Sequence, residues 1–380
     1  MGEPCGALIL AHERGHGSQW TCAPYHPFAY CPSAGNLATM ARRSTLAIAP
    51  TRPVSMLLLL MILALLLIAL LAAMAWGGPR GIAPLASVNS PFEGVDFSGL
   101  PPVQRYTARD GTPLAWHAYG PATPGAAGPA RRVVLVHGSS SRARSLHVLA
   151  QALAHEGFAV AALDMRGHGE SGTRGQVDYL GQMEDDIEDF LHAVPHQGPQ
   201  TLMGFSAGGG FALRFAGSAR QGLFDRYVLL APFLHPHAPT ARPDVGGWAS
   251  VGLPRLLALA LLNKLRITAW NHLAVLRFAL DEASRAGLTP SYSYTLAMNF
   301  RPQADYLGDI RRARGAMSLV AGQQDEVFHA DRYAALFAQA GRPVPVTVVP
   351  GVSHIGLVLD PGAVRAVAQA CGANPSELIA

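Results

Sequence analysis

An α/β domain is what this 380-residue sequence predicts: a mostly parallel eight-stranded sheet with helices on both faces and a helical cap inserted after the sixth strand. Three observations lead there. Short, wholly apolar runs alternate with segments of helical period from about residue 130 onward, as expected of strands buried on both faces and joined by crossover helices. The sequence Gly204-Phe205-Ser206-Ala207-Gly208 joins one such run to one such helix. The interval 231–317 then breaks the alternation with no convincing strand, and an insertion at that point sits above the C-terminal edge of a parallel sheet, where ligands bind.

Ahead of the domain lie segments of a different kind. Residues 1–52 lack hydrophobic periodicity and read as an extension that is disordered or lies upstream of the true start; Met40, followed by Ala41-Arg42-Arg43, makes a better beginning for the apolar segment behind it. Residues 53–79 carry no charge, and their core of about 20 apolar residues is long enough to span a bilayer as a helix. Arg42, Arg43 and Arg52 precede it and Arg80 alone follows closely, so the N-terminus is expected on the cytoplasmic side and the domain on the periplasmic or extracytoplasmic side. A cleaved signal peptide with Ala73-Met74-Ala75 as its site, and hence a secreted protein, is the alternative; the length of the apolar run favours a retained anchor. Residues 80–101, rich in Gly, Pro and Ser, read as a linker, and 102–380 as the domain, with the cap at about 234–312.

Composition excludes several function classes. The net charge of +4 comes almost wholly from arginine, Lys264 being the only lysine, and this reflects a general richness in Ala, Gly, Pro and Arg. No basic run with interleaved aromatics is present, so nucleic acid is not an expected partner. Cys5, Cys22, Cys31 and Cys371 match no zinc spacing, even with His12, His16 and His26 nearby, and form no disulfide framework. No metal or organic cofactor is expected.

Within the domain, residues 103–119 contain two short strands around Asp110-Gly111, a hairpin signal. Strands follow at 132–137 and 158–164, with a helix over 143–155 between them. A helix over 178–194 places Ile187, Phe190, Leu191 and Val194 on one side; Glu184, Asp185, Asp186, Glu188 and Asp189 read as its solvated face, favoured by the helix dipole. Strand 201–205 leads into the serine turn and helix 207–216 leaves it. Strands at 226–231, 317–321 and 344–349 complete the sheet, and 253–280 reads as cap helix.

Serine at its ordinary pKa is a poor nucleophile and needs a base, which in turn needs an orienting acid. Ser206 would project from a sharp strand-to-helix turn. Asp325 lies in the loop directly after the strand at 317–321, with Glu326 beside it, and His354 in the loop after the last strand. Nucleophile, acid and histidine therefore come in that chain order, all at one sheet edge. Acyl transfer also needs N–H donors for the developing oxyanion. The Ala207 N–H, just past the nucleophile, is one candidate. Ser139, in the loop after His137-Gly138, is the other, with Ser140 next; His137 itself reads as a packing and loop-bracing residue.

At these residues the chain resembles the α/β-hydrolase superfamily. His137-Gly138-Ser139-Ser140, the run Asp164-Met165-Arg166-Gly167-His168-Gly169-Glu170-Ser171-Gly172, the Gly204–Gly208 turn and the Asp325/His354 pair carry the resemblance over about residues 103–370. Within the superfamily it looks most like bacterial relatives of monoacylglycerol lipase and lysophospholipase, the serine aminopeptidase-like group. Those relatives usually have His-Ser-Met-Gly-Gly where this chain has Phe205-Ser206-Ala207-Gly208-Gly209. The resemblance implies a serine hydrolase acting on carboxylic esters, possibly of monoacylglycerol or lysophospholipid type. The same three residues would also serve amides, thioesters or acyl transfer, and a non-catalytic binding protein on this fold is the remote alternative. Ser206 at the turn argues against the dehalogenases and epoxide hydrolases of the superfamily, which use aspartate there.

Overall fold

Eight short strands pair into the sheet that positions the site. The structure, a computed structural model, describes residues 53–121, 131–243 and 247–372. The chain divides into two units, 1–56 and 57–380; of the first only the opening residues of helix α1 (Pro53–Trp76) are described. The extension at 1–52, with Cys5, Cys22 and Cys31, otherwise lies outside the described residues. After α1 and a four-residue helix, α2 (Ala86–Asn89), strands β1 (Val103–Thr107) and β2 (Pro113–Tyr119) form the expected hairpin.

The parallel part follows. β3 (Arg132–Val136) is buried along its whole length and is joined through α3 (His147–His155) to β4 (Ala159–Leu163). Next come α4 (Gln182–Ala193), β5 (Gln200–Phe205), α5 (Ala207–Ala216) and β6 (Arg226–Leu230). The cap then intervenes with β7 (Ala249–Val251), α6 (Leu253–Lys264), β8 (Ala274–Phe278), α7 (Glu282–Gly287), β9 (Ser291–Ser293) and α8 (Tyr294–Asn299). Helix α9 (Tyr306–Arg312) leads back to β10 (Ala316–Gly322), α10 (Tyr333–Gln339), β11 (Val346–Val349), α11 (Gly356–Leu359) and α12 (Pro361–Gly372). The sheet runs β1-β2-β4-β3-β5-β6-β10-β11, parallel from β4 to β11. Helices α3, α11 and α12 pack together as one layer; α5 covers β5 and β6 with α9 beside it.

Two expectations need correction. The cap is not wholly helical: 253–264 is helix, but 274–278 is the centre strand of a three-stranded antiparallel sheet, β7-β8-β9. Its run Ala-Val-Leu-Arg-Phe buries Val275 and Phe278 and exposes Arg277, and five residues span no period long enough to tell helix from strand.

The acidic cluster of α4 is not a solvated face either. Glu184, Asp185 and Asp186 are buried. Arg166 grips Asp186 with two bonds, at 2.8 and 2.7 Å, and reaches Asp110 at 2.9 Å. Arg214 of α5 pairs with Glu184 at 2.5 Å, and Arg109, Arg220 and the Tyr179 hydroxyl hold Asp185. Burial pushes the Asp186 carboxyl up to about 6, a cost that Arg166 only partly offsets. Arginines from four separate segments thus replace the water that helix period alone assigned to this face.

Breaking a buried pair leaves an uncompensated charge and typically costs about 3–5 kcal/mol, whereas exposed pairs are worth about 0–1 kcal/mol. Arg166→Met is therefore expected to lower the thermal midpoint by roughly 10 °C, and Arg105→Met, which breaks the exposed Arg105–Glu170 pair, to move it by no more than about 2 °C. A fluorescence melt in detergent measures both; equal midpoints would remove the buried web from the account of stability.

Candidate active site

Ser206 closes β5 and opens α5 with φ 55° and ψ −116°, a left-handed conformation that costs a non-glycine residue energy unless its surroundings hold it. Here the backbone is gripped from both sides. The Ser206 N–H donates to the Leu230 carbonyl at 2.8 Å, and its carbonyl accepts from Phe233 at 3.0 Å and Gly210 at 3.0 Å. The flanking glycines permit the turn: a Cβ on Gly204 would stand 2.0 Å from the Gly208 carbonyl oxygen, and one on Gly208 would stand 2.4 Å from that of His137. Backbone packs on backbone at these two points, which is why the motif requires glycine there.

The loops after β10 and β11 bring the other two residues in. Gln323 and Gln324 donate their N–H groups to Val349 and Val352, lacing the loops together. His354 Nε2 lies 3.0 Å from Ser206 Oγ, and His354 Nδ1 lies 2.7 Å from Asp325 Oδ2. With an ionised carboxylate, Nδ1–H donates to Asp325 and Nε2 is left to accept the serine proton. Asp325 is itself fixed: its Oδ1 accepts from the Val327 and Phe328 N–H groups, each at 2.8 Å. Glu326, the neighbouring carboxylate, does not reach the ring; it accepts from the His354 backbone N–H at 3.0 Å. The imidazole is fully buried between Phe205, Phe328 and Trp248, which stands just before β7 in the cap. Burial of that kind removes competing water from the serine–histidine–aspartate contacts.

The segments that carry the two expected oxyanion donors approach Ser206. Ala207 is the first residue of α5, so its N–H has no intrahelical acceptor and sits at the positive end of the helix. The Gly138–Ser139 backbone comes close as well: a Cβ built on Gly138 would be 3.2 Å from Ser206 Cβ. Ser140, the second choice in sequence, is otherwise engaged. Its N–H donates to the Tyr292 hydroxyl at 2.5 Å, its Oγ donates to the Thr289 carbonyl at 2.7 Å, and its carbonyl accepts from the Thr289 N–H at 2.8 Å. The Ser140 N–H is therefore already taken.

The cap supplies what sequence reasoning missed. Tyr292 of β9 donates its hydroxyl proton to His168 Nε2 at 2.6 Å, and His168 Nδ1–H faces the Arg166 carbonyl at 3.2 Å. Burial pulls the His168 imidazole well below its ordinary pKa, so it stays neutral and able to accept. His137, also lowered by burial, donates from Nδ1 to the Gly138 carbonyl and accepts from the Met165 N–H. It braces its own loop, as expected. No local signal could have singled out Tyr292, 152 residues from the backbone it holds.

The contacts place a hydroxyl, an imidazole and a carboxylate in the arrangement that general-base help to a nucleophile requires. Among the described residues, no cluster of three or more His, Cys, Asp or Glu side chains is placed to hold a metal ion. Cys371 is buried, and its thiol is pushed up to about 12.

Comparison with known proteins gives one family and several likenesses. The sequence profile described as "Serine aminopeptidase, S33" matches residues 127–360. A monoacylglycerol lipase of Mycolicibacterium smegmatis is 35% identical over 111 residues, which is 28% of this chain; the match spans only 39% of that lipase's length. Among solved structures, a soluble variant of monoglyceride lipase from Saccharomyces cerevisiae superposes with a TM-score of 0.53 at 18% identity, over 71% of this chain and 93% of that one. A bromoperoxidase from Bacillus anthracis gives 0.51 at 19% identity, over 71% and 100%. At these identities the superpositions establish a common fold, and the different names they carry show that the fold alone does not choose a reaction.

A fluorophosphonate is expected to attach to Ser206 Oγ, as located by peptide mass spectrometry, and His354→Ala or Asp325→Asn to slow the labelling more than about a hundredfold. Label found on another residue would detach the geometry from reactivity.

Proposed function

Because the chain belongs to the serine aminopeptidase S33 family of α/β hydrolases, we propose that it is a membrane-tethered serine hydrolase that cleaves carboxylic esters of lipid origin, of the monoacylglycerol or lysophospholipid kind. The observation that carries this reading is the continuous relay from Ser206 Oγ through the His354 ring to Asp325. Ser206 Oγ attacks the ester carbonyl as its proton passes to His354 Nε2. Asp325 holds the imidazolium that forms and keeps the ring in the useful tautomer. The carbonyl oxygen becomes an oxyanion received by the Ala207 and Ser139 N–H groups. Collapse expels the alcohol, which takes its proton from His354, and leaves Ser206 acylated. Water, deprotonated by the same ring, then releases the acid and restores the hydroxyl.

Three features support a lipid ester. The similar M. smegmatis protein is a monoacylglycerol lipase. The cap over the site is rich in apolar residues. Helix α1 is long and apolar enough over 22 residues, Ser55–Trp76, to cross a membrane. We read it as an anchor with the domain on the extracytoplasmic side, the arginines 42, 43 and 52 remaining inside. The family description names an aminopeptidase, so an anilide and a thioester belong in the substrate panel beside the esters.

Purified enzyme is expected to turn over long-chain monoacylglycerols and p-nitrophenyl esters, anilides far more slowly, with all turnover absent in Ser206→Ala; a preference for anilide over ester would reassign the reaction. Tyr292→Phe removes both the acceptor for the Ser140 N–H and the donor to His168, loosening the loop that presents Ser139. A loss of about tenfold in kcat at nearly constant KM is expected, equivalent to about 1.4 kcal/mol of transition-state stabilisation. Affinity for a trifluoromethyl ketone, which mimics the oxyanion, should fall in parallel. An unchanged ketone affinity would make Tyr292 structural only.

A further inference from the structure

The segment leaving α1 is not a free tether but is built into the start of the cap. Arg255 of α6 donates from Nε to the Met74 carbonyl at 2.8 Å and from one terminal nitrogen to the Ala75 carbonyl at 3.0 Å. Its other terminal nitrogen reaches the Ala274 carbonyl of β8 at 3.0 Å, so one guanidinium ties the last turn of α1 to two cap elements. These are the carbonyls that a helix end leaves without intrahelical partners, and a cation is favoured there. The backbones also touch. A Cβ on Gly77 would stand 2.8 Å from Pro254 Cβ, and one on Gly252 would stand 2.5 Å from the Pro79 nitrogen. Neither Gly77 nor Gly252 has room for a side chain at this junction.

From this junction α6 turns one face inward, where Leu259 and Leu262 are buried, and another outward. The outward face carries Leu253, Leu257 and Leu261 at four-residue spacing, continued by Leu265, Ile267 and Trp270; these six are 41–63% exposed. An apolar stripe of that extent is unusual on a surface that meets only water. Lys264 and Arg266 are exposed at its far end.

We propose that this outward face of α6, with the turn behind it, is a bilayer-contact surface seated in the leaflet from which α1 emerges, and that the Arg255–Gly77–Gly252 clasp holds it at that depth. The inference rests on the reading of α1 as a membrane-spanning anchor. Twenty-two residues of helix measure about 33 Å, close to the ~30 Å of a hydrocarbon core, so the end of α1 with exposed Trp76 falls at the boundary with the headgroups. What is clasped to that end is at the same depth. At 12 residues α6 is too short to cross, and an amphipathic helix at this level lies in the interface, leucines toward acyl chains and basic residues toward phosphates. The cap that carries Trp248 and Tyr292 is thereby referenced to the membrane surface, and a lipid monoester reaches the site from that leaflet rather than from bulk water.

The test uses the full chain at one copy per phospholipid nanodisc, with Cys5, Cys22 and Cys31 changed to serine and the buried Cys371 left in place. An environment-sensitive NBD fluorophore is attached at Leu261→Cys or, as control, at Leu223→Cys on the catalytic domain. Lipids brominated along the acyl chain are expected to quench the Leu261 probe by half or more and to leave the Leu223 probe unchanged. In a second arm, the Leu257→Glu/Leu261→Glu variant should show a KM at least tenfold higher for a long-chain monoacylglycerol in vesicles, with turnover of a water-soluble short ester within about twofold of the parent. A chain that does not stay with the discs overturns the anchor and the inference together. A retained chain that turns over the short ester, but whose Leu261 probe bromine does not quench, overturns the inference alone. A probe that responds only when two copies share a disc assigns the face to a second copy and likewise overturns it.

Discussion

Ser206 is held at a positive φ by backbone that has no room for a side chain on either side, and the rest of the site is arranged around that turn. The strain of such a residue is of order 1–3 kcal/mol and persists only where neighbours over-determine it. Here three backbone hydrogen bonds and two glycine contacts do so. The turn aims the hydroxyl out of the sheet and at the same time places the Ala207 N–H at the free end of α5. In the proposed reaction, nucleophile and oxyanion donor are thus two consequences of one backbone bend.

The loops that face this turn are made rigid by a different means. Asp164 accepts from the Ala143 and Glu170 N–H groups, Asp325 from Val327 and Phe328, and Glu326 from His354. Each carboxylate satisfies backbone donors that loop geometry would otherwise leave unpaired. The buried arginine web between α4, α5 and the loop at 164–172 extends the same logic away from the site. Its charges are costly to bury, as the raised Asp186 pKa records, and are kept in place by their partners' geometry.

The cap is more than a cover. Trp248 forms one wall of the His354 ring, and Tyr292 and Thr289 hold Ser140 in the loop after β3. Residues 80–101, read from composition as a linker, also belong to this structure: Asn89 of α2 bonds to Ala279 and receives the Asp281 N–H. A movement of the cap would therefore be felt at the loop that presents Ser139.

The eight strands, their order of chemistry and the turn at Ser206 were legible because each is a local pattern. A strand buried on both faces must be a short apolar run, and a strained turn must be flanked by glycine, whatever surrounds them. Ser206, Asp325 and His354 could be named for the same reason: each follows directly on a strand that ends at one sheet edge. What only the tertiary structure decided are the partners. The carboxylates of α4 read as solvated because their arginines come from Arg109, Arg166, Arg214 and Arg220, none adjacent in the chain. The strand at 274–278 exists because β7 and β9 flank it, Tyr292 meets Ser140 across 152 residues, and Arg255 meets Met74 across 181. Periodicity tells which side of an element is apolar; it carries no information about which distant group will arrive to satisfy a charge, a carbonyl or a ladder edge.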